Sequence, residues 1–124
     1  MAGLTLDAGA LFAYERGEGR VREFLTVAYA RGVVPTIPAI ALAEVWRGDA
    51  KDARVARLLK VCAIETIDER LARTAGSLRR AVPGAGTVDA CIAVGVRRRG
   101  DAIATSDPQD MRALLGPGFT ILPV

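Results

Sequence analysis

Residues 87–107 read TVDACIAVGVRRRGDAIATSD, and this stretch decides the fold. Its first half is apolar on every side at helical spacing, which predicts a helix buried all round. Thr87 is placed to cap the start of that helix. Arg97, Arg98 and Arg99 suit the negative end of its dipole and are read as facing solvent, and Gly100 stops it. AIAT, residues 102–105, is then a short continuous apolar run, the pattern of a strand covered on both faces. A buried helix feeding a buried strand is half of a strand–helix–strand unit in a parallel sheet.

The same alternation runs upstream. GLTL ends at Asp7 as a buried strand, and AGALFAYE (8–15) begins a helix. From Gly19, the positions Val21, Phe24, Leu25 and Ala28 predict an amphipathic helix closed by Gly32. VVPTI (33–37) is the second strand, weakened by Pro35. Pro38 opens a helix over PAIALAEVWR, which Gly48 ends. Asp49 with Asp52 resembles a cap for a helix bearing Val55, Leu58 and Leu59. VCAIETI (61–67) is the third strand, and Asp68 caps a helix with Leu71, Ala75, Leu78 and Val82 on one face. PGAG (83–86) is a turn. Beyond AIAT come a short helix from Pro108 and a fifth strand, FTILP (119–123). The 124 residues predict one domain, 1–124, of the α/β class: a parallel sheet with helices on both faces. Ligands of such sheets bind beyond the carboxyl ends of the strands, where strand order reverses.

Composition narrows the chemistry. The chain has no histidine. That excludes Ser-His-Asp and Cys-His nucleophile systems, His-based zinc sites and ribonucleases that cleave through a histidine pair. Catalysis would have to run on carboxylates, hydroxyls, Arg/Lys or a bound metal ion. The net charge is +3 with 17 Lys+Arg against 14 Asp+Glu, which permits nucleic acid or an acidic partner without requiring either. Cys62 and Cys91 form no Cys-x-x-Cys pair and read as core thiols of a reducing compartment. Gly32 to Ala43 is uncharged but too short to span a bilayer. The expectation is a cytoplasmic protein with no membrane partner.

Most acids sit among other charges and read as solvated: Glu15, Glu18, Glu23, Asp49, Asp52, Glu65, Asp68, Glu69 and Asp101. Four stand in apolar company: Asp7 after LTL, Glu44 in AIALAEVW, Asp89 in TVDACIAV and Asp107 after AIATS. A carboxylate so placed is costly unless paired, hydrogen-bonded or bound to a cation. Each has a structural alternative. Asp7 also fits a helix cap, Glu44 a pair with Arg47, Asp89 the first turn of its helix, and Asp107 an N-cap with Asp110 at N3. Together they point elsewhere, because Asp7, Asp89 and Asp107 fall at the ligand-binding edge and Glu44 lies one turn into the helix after strand two. Four anions on one edge require a cation, and all-oxygen ligation selects Mg²⁺ or Mn²⁺. Such a centre suits phosphodiester hydrolysis.

At LTLDAGALFA, PAIALAEVWRG and TVDACIAVGVRRRGDAIATSDPQDM the chain resembles a PIN-domain ribonuclease, specifically the VapC-type toxin of a VapBC toxin–antitoxin pair. The resemblance covers essentially the whole chain. It implies a three-layer α/β/α fold with a five-stranded parallel sheet in the order 3-2-1-4-5. It further implies an Mg²⁺- or Mn²⁺-dependent endoribonuclease that cuts tRNA, rRNA or mRNA, forms a homodimer and is inhibited by a VapB-type antitoxin. By matching, Asp7, Glu44 and Asp89 are the core metal ligands and Asp107 the fourth acid. Asp110 shares or takes that last role, and Thr105 and Ser106 are supporting polar residues. The short region after Asp7 departs from the family and implies a small helical clip.

Arg79, Arg80 and the 97–99 run read first as solvated helix ends. Arg47 fits either the acidic pocket or an exposed role, and Trp46 a packing or dimer contact. Gly84 and Gly86 form a turn without the Lys-Ser/Thr of a phosphate loop. Two other functions compete with the nuclease. One is a catalytically silent PIN-like interaction module. The other is aspartyl-phosphate transfer at Asp7, which Gly9 and the scarcity of lysine disfavour.

Overall fold

Strand β1 (Leu4–Leu6) is buried at every position, as are β2 (Thr36–Pro38) and β4 (Ala102–Thr105). Continuous burial of this kind is the pattern of strands covered on both faces of a parallel sheet. The computed structural model describes residues 3–124. Its five strands, completed by β3 (Ala63–Glu65) and β5 (Ile121–Pro123), form one sheet in the order β3-β2-β1-β4-β5, all pairs parallel. The expected order therefore stands, and strand order reverses between β1 and β4.

Two groups of helices cover the sheet. Helix α1 (Ala8–Glu15) packs with α2 (Gly19–Ala30), α3 (Ala39–Val45) and α4 (Ala53–Leu59). Helix α5 (Glu69–Ala81) packs on α6 (Thr87–Arg99), which also contacts α7 (Pro108–Leu115). Helix α6 is buried continuously from Ala90 to Val96, as its all-round apolar pattern requires. On α2 the buried residues are Val21, Leu25 and Ala28. The core is aliphatic, its largest fully buried side chains being leucines, isoleucines, valines and Met111, with Thr5 the one polar member. No helix among the described residues is long and apolar enough to cross a membrane.

Local departures from the sequence reading have identifiable causes. Pro38 ends β2 and sits at the N-cap of α3 instead of inside its first turn, because Pro38 is still paired with Glu65 of β3. Helix α3 stops at Val45, and residues 46–49 wrap around Asp52. That carboxylate, expected among the solvated acids, is buried and accepts from the backbone N–H groups of Arg47, Gly48 and Asp49. Burial opposes its charge, but the three amides outweigh burial and hold its pKa below the ordinary value. Asp49 and Asp52 form a capping box on the 3₁₀ turn Ala50–Asp52 that leads into α4. Thr87 is the first residue of α6, with Gly86 at the N-cap and no side-chain cap bond. Gly100 closes α6 in the left-handed region at φ 68°. Cys91 is buried as expected, Cys62 only partly, and both are free thiols.

Candidate active site

The site begins with strand periodicity. In β1, Leu4 and Leu6 face one side of the sheet, while Thr5 and the following residue, Asp7, face the other. Leu6 is in register with Ala104, so Asp7 lies beside Thr105 at the carboxyl ends of the two central strands. This is the crevice where ligands of open parallel sheets bind.

Asp7 is buried, 4% exposed, and its Oδ1 accepts from the Ala10 N–H at 2.9 Å as the N-cap of α1. Burial pushes its pKa up to about 6. The Thr105 hydroxyl and the Ala10 amide oppose that rise, while the negative charges of Asp107 and Asp89 add to it. Thr105 is fully buried, and its Oγ1 accepts from the Asp107 N–H at 2.9 Å.

Asp89 stands in the first turn of α6, half-buried, facing the positive end of the helix dipole. Burial raises its pKa, and Asp107, Asp110 and Glu44 raise it further. Glu44 lies near the end of α3 with its side chain exposed. Its expected partner Arg47 goes elsewhere, pairing with Glu15 at 2.7 Å and placing its guanidinium 5.8 Å from the Phe12 ring centre. Asp107 occupies the N-cap position of α7 but makes no side-chain cap bond, so the structural alternative for this residue is not realised.

Asp7, Glu44, Asp89 and Asp107 line one cleft of about 440 Å³, together with Gly9, Phe12, Thr87 and Ser106. Among the described residues no lysine or arginine lines it. Asp110 lies outside it, in an adjoining hollow shared with Ser106 and Asp107, yet close enough to raise the pKa of Asp89. Thr105 sits beneath the cleft and Ser106 on its wall.

The packing role of Gly9 is not visible in the sequence. A Cβ at this position would collide with the Ser106 side chain and meet the Ser106 backbone N at 3.0 Å. The first turn of α1 therefore packs directly on the end of β4. Phe12, which supplies an aromatic wall, follows from its position one turn into α1 and was legible only as an apolar helix residue.

The acids fit a hard divalent cation by charge and donor type, since all are oxygen ligands and no protein cation competes. Among the described residues, however, no three of the acids stand close enough together to hold a metal ion between them.

Solved structures share this architecture. The VapBC2 complex from Rickettsia felis, bound to a promoter DNA fragment, matches with a TM-score of 0.77 at 15% identity, covering 98% of each chain. DNA-bound VapBC from Salmonella typhimurium matches with a TM-score of 0.72 at 21% identity, over 99% of this chain and 98% of that one. A toxin–antitoxin complex from Klebsiella pneumoniae matches with a TM-score of 0.77 at 20% identity, over 95% and 96%. At these identities the likeness establishes the fold. None of the curated proteins compared matches the chain. The PIN domain family model matches residues 4–114, which spans all four acids and nearly the whole sheet, and the chain belongs to the PIN-domain family.

Proposed function

We propose that this protein is a VapC-type toxin: a metal-dependent endoribonuclease that hydrolyses RNA phosphodiester bonds. The observation that carries the proposal is the single acidic cleft at the β1/β4 crevice, lined by Asp7, Glu44, Asp89 and Asp107 without a protein cation. Membership of the PIN family and the fold shared with toxin–antitoxin complexes support it.

Asp7, Glu44, Asp89 and Asp107 would hold Mg²⁺ or Mn²⁺, which when bound orients the phosphate, activates water and shields developing charge. The chain's own residues prepare the site. The Ala10 amide orients Asp7. The α6 N-terminus sets Asp89 on the opposite wall. Thr105 holds the Asp107 backbone, so the fourth acid and Ser106 stay at the mouth of the cleft. Phe12, Val88 and Ile92 supply its apolar lining. Asp110, one turn into α7, adds negative charge from outside the cleft and is the secondary candidate ligand.

A VapB-type antitoxin partner and a homodimer belong to the same proposal. The test is RNA cleavage by the purified protein with Mg²⁺ or Mn²⁺, against EDTA and against Asp7→Ala. Cleavage only in the metal-containing wild type supports the reading. Equal cleavage in all conditions contradicts it, and failure of the folded protein to bind Mn²⁺ favours an interaction module instead.

A further inference from the structure

At the end of α6 away from the cleft, the helix closes on a second polar cluster that the nuclease reading does not use. Arg99, in the last turn, forks across three partners. Its Nε donates to Asp101 Oδ2 at 2.8 Å, and one terminal nitrogen donates to Thr5 Oγ1 at 3.0 Å. The other donates to Glu65 at the end of β3. The Thr5 hydroxyl in turn donates to Asp101 Oδ2 at 2.7 Å. Thr5 and Asp101 are buried. The Glu65 carboxylate presses against Gly95, where any Cβ would collide with it, and its Oε1 is buried without a hydrogen-bond partner. The sequence places Arg99, Asp101 and Glu65 in solvent; the fold instead buries Asp101 and half-buries Glu65 and Arg99 at the end of α6.

Two carboxylates and one guanidinium beneath a helix are a weak source of stability, and apolar side chains of similar volume would hold α6 to the sheet as well. What apolar contacts lack is direction. A guanidinium fork bound at three points fixes both the rotation of α6 about its axis and its position along it.

The two elements so joined are the ones that carry the cleft. Thr5 lies two residues before Asp7 on β1, on the same face of the strand. Arg99 lies ten residues after Asp89 on α6, about 15 Å along a rigid helix. Over that lever a tilt of about 5° carries Asp89 by about 1 Å, and a misplacement of that size lowers rates by about 100-fold. We infer that Arg99, held by Glu65 and Asp101, is a positioning residue that sets Asp89 against Asp7 through the length of α6. The inference rests on the proposed metal centre.

Two conservative variants of the full chain test it. Arg99→Lys keeps the charge but reaches only one of the three partners, and Glu65→Gln keeps volume and one acceptor. In the metal-free protein, the backbone amide signals of residues 87–91 should shift in both variants, more in Arg99→Lys. Mn²⁺ affinity measured by calorimetry should fall about 10–100-fold in Arg99→Lys, the range typical of groups that orient metal ligands. For RNA cleavage, kcat should fall with KM little changed.

The inference is overturned if the folded variants show amide shifts only around residues 5, 65 and 95–101, and bind Mn²⁺ within twofold of wild type, whatever their melting temperatures. It is also overturned if both variants fail to fold, which would make the cluster a stability element. A wild-type protein that binds no Mn²⁺ and cuts no RNA would remove the nuclease reading, while the amide shifts would still decide whether Arg99 places Asp89.

Discussion

The backbone N–H of Ala10 donates to Asp7 Oδ1 at 2.9 Å, so one carboxylate both caps helix α1 and lines the acidic cleft. A helix cap and a metal ligand are competing readings of Asp7 in the sequence. In the fold they are compatible, because the cap bond occupies one oxygen and orients the group.

The raised pKa of Asp7 has a stability consequence. A folded-state pKa of about 6 against an ordinary 3.8 means the native protein holds this proton more tightly than the unfolded chain does. That stabilisation is fully present below the ordinary value and is lost as pH rises through about 6. The effect has an upper bound of about 3 kcal/mol. Urea unfolding of metal-free protein should therefore give a lower stability at pH 7.5 than at pH 5 from this group. Asp7→Asn, which keeps a cap acceptor, should flatten that slope and raise stability at pH 7.5, while abolishing metal-dependent cleavage.

Glu44 is exposed and makes no hydrogen bond or ion pair among the described residues, so folding does not depend on it. Glu44→Gln should change stability by no more than about 0.5 kcal/mol. Cleavage should fall by more than the 10–100-fold, roughly, that outer groups around a metal centre contribute. Thermal unfolding and an RNA cleavage assay on the same preparation separate the two effects.

Gly9 gives a packing test of the cleft. Gly9→Ala should cost about 1–3 kcal/mol, because the new methyl meets the Ser106 side chain and backbone. The double variant Gly9→Ala, Ser106→Gly removes the side-chain part of that collision and should recover part of the loss. Chemical denaturation of the single and double variants measures both.

Asp52 holds the 46–49 loop through backbone amides, and those bonds keep its pKa below the ordinary value. Its stabilisation is present above the ordinary carboxylate range and is lost as pH falls through the depressed folded value. Asp52→Ala should lower the melting temperature at pH 7, and the gap from wild type should narrow in acid. Differential scanning calorimetry across pH follows it.

Much of this fold is legible in apolar spacing. The run 90–96 announces a buried helix, AIAT a buried strand, and Asp68 and Gly100 the bounds of α5 and α6, because each of these is local physics. The order of the strands is not local. Nothing in the spacing of Asp7 and Asp107 says that β1 and β4 are neighbours; that came from the resemblance to PIN domains, and the sheet bears it out. The acids in apolar company were findable because burial of charge demands a reason. Asp52 and Arg99 escaped for the opposite cause: their sequence neighbours are charged, so no local signal marks the backbone amides, hydroxyl and carboxylates that tertiary packing brings to them. Glu65 in VCAIETI and Asp101 before AIAT carry the same apolar-company signal as the four acids, and the solvated reading of them was a misreading of it. Gly9 escaped because a collision with Ser106 exists only once β4 lies beside α1.

If Asp7, Glu44, Asp89 and Asp107 act as one divalent-cation centre, calorimetric titration of Mn²⁺ into the folded wild type should show saturable binding. In Asp89→Asn that binding should be abolished or weakened by at least tenfold. Absence of binding to the wild type, or equal affinity in the two proteins, would contradict a single centre.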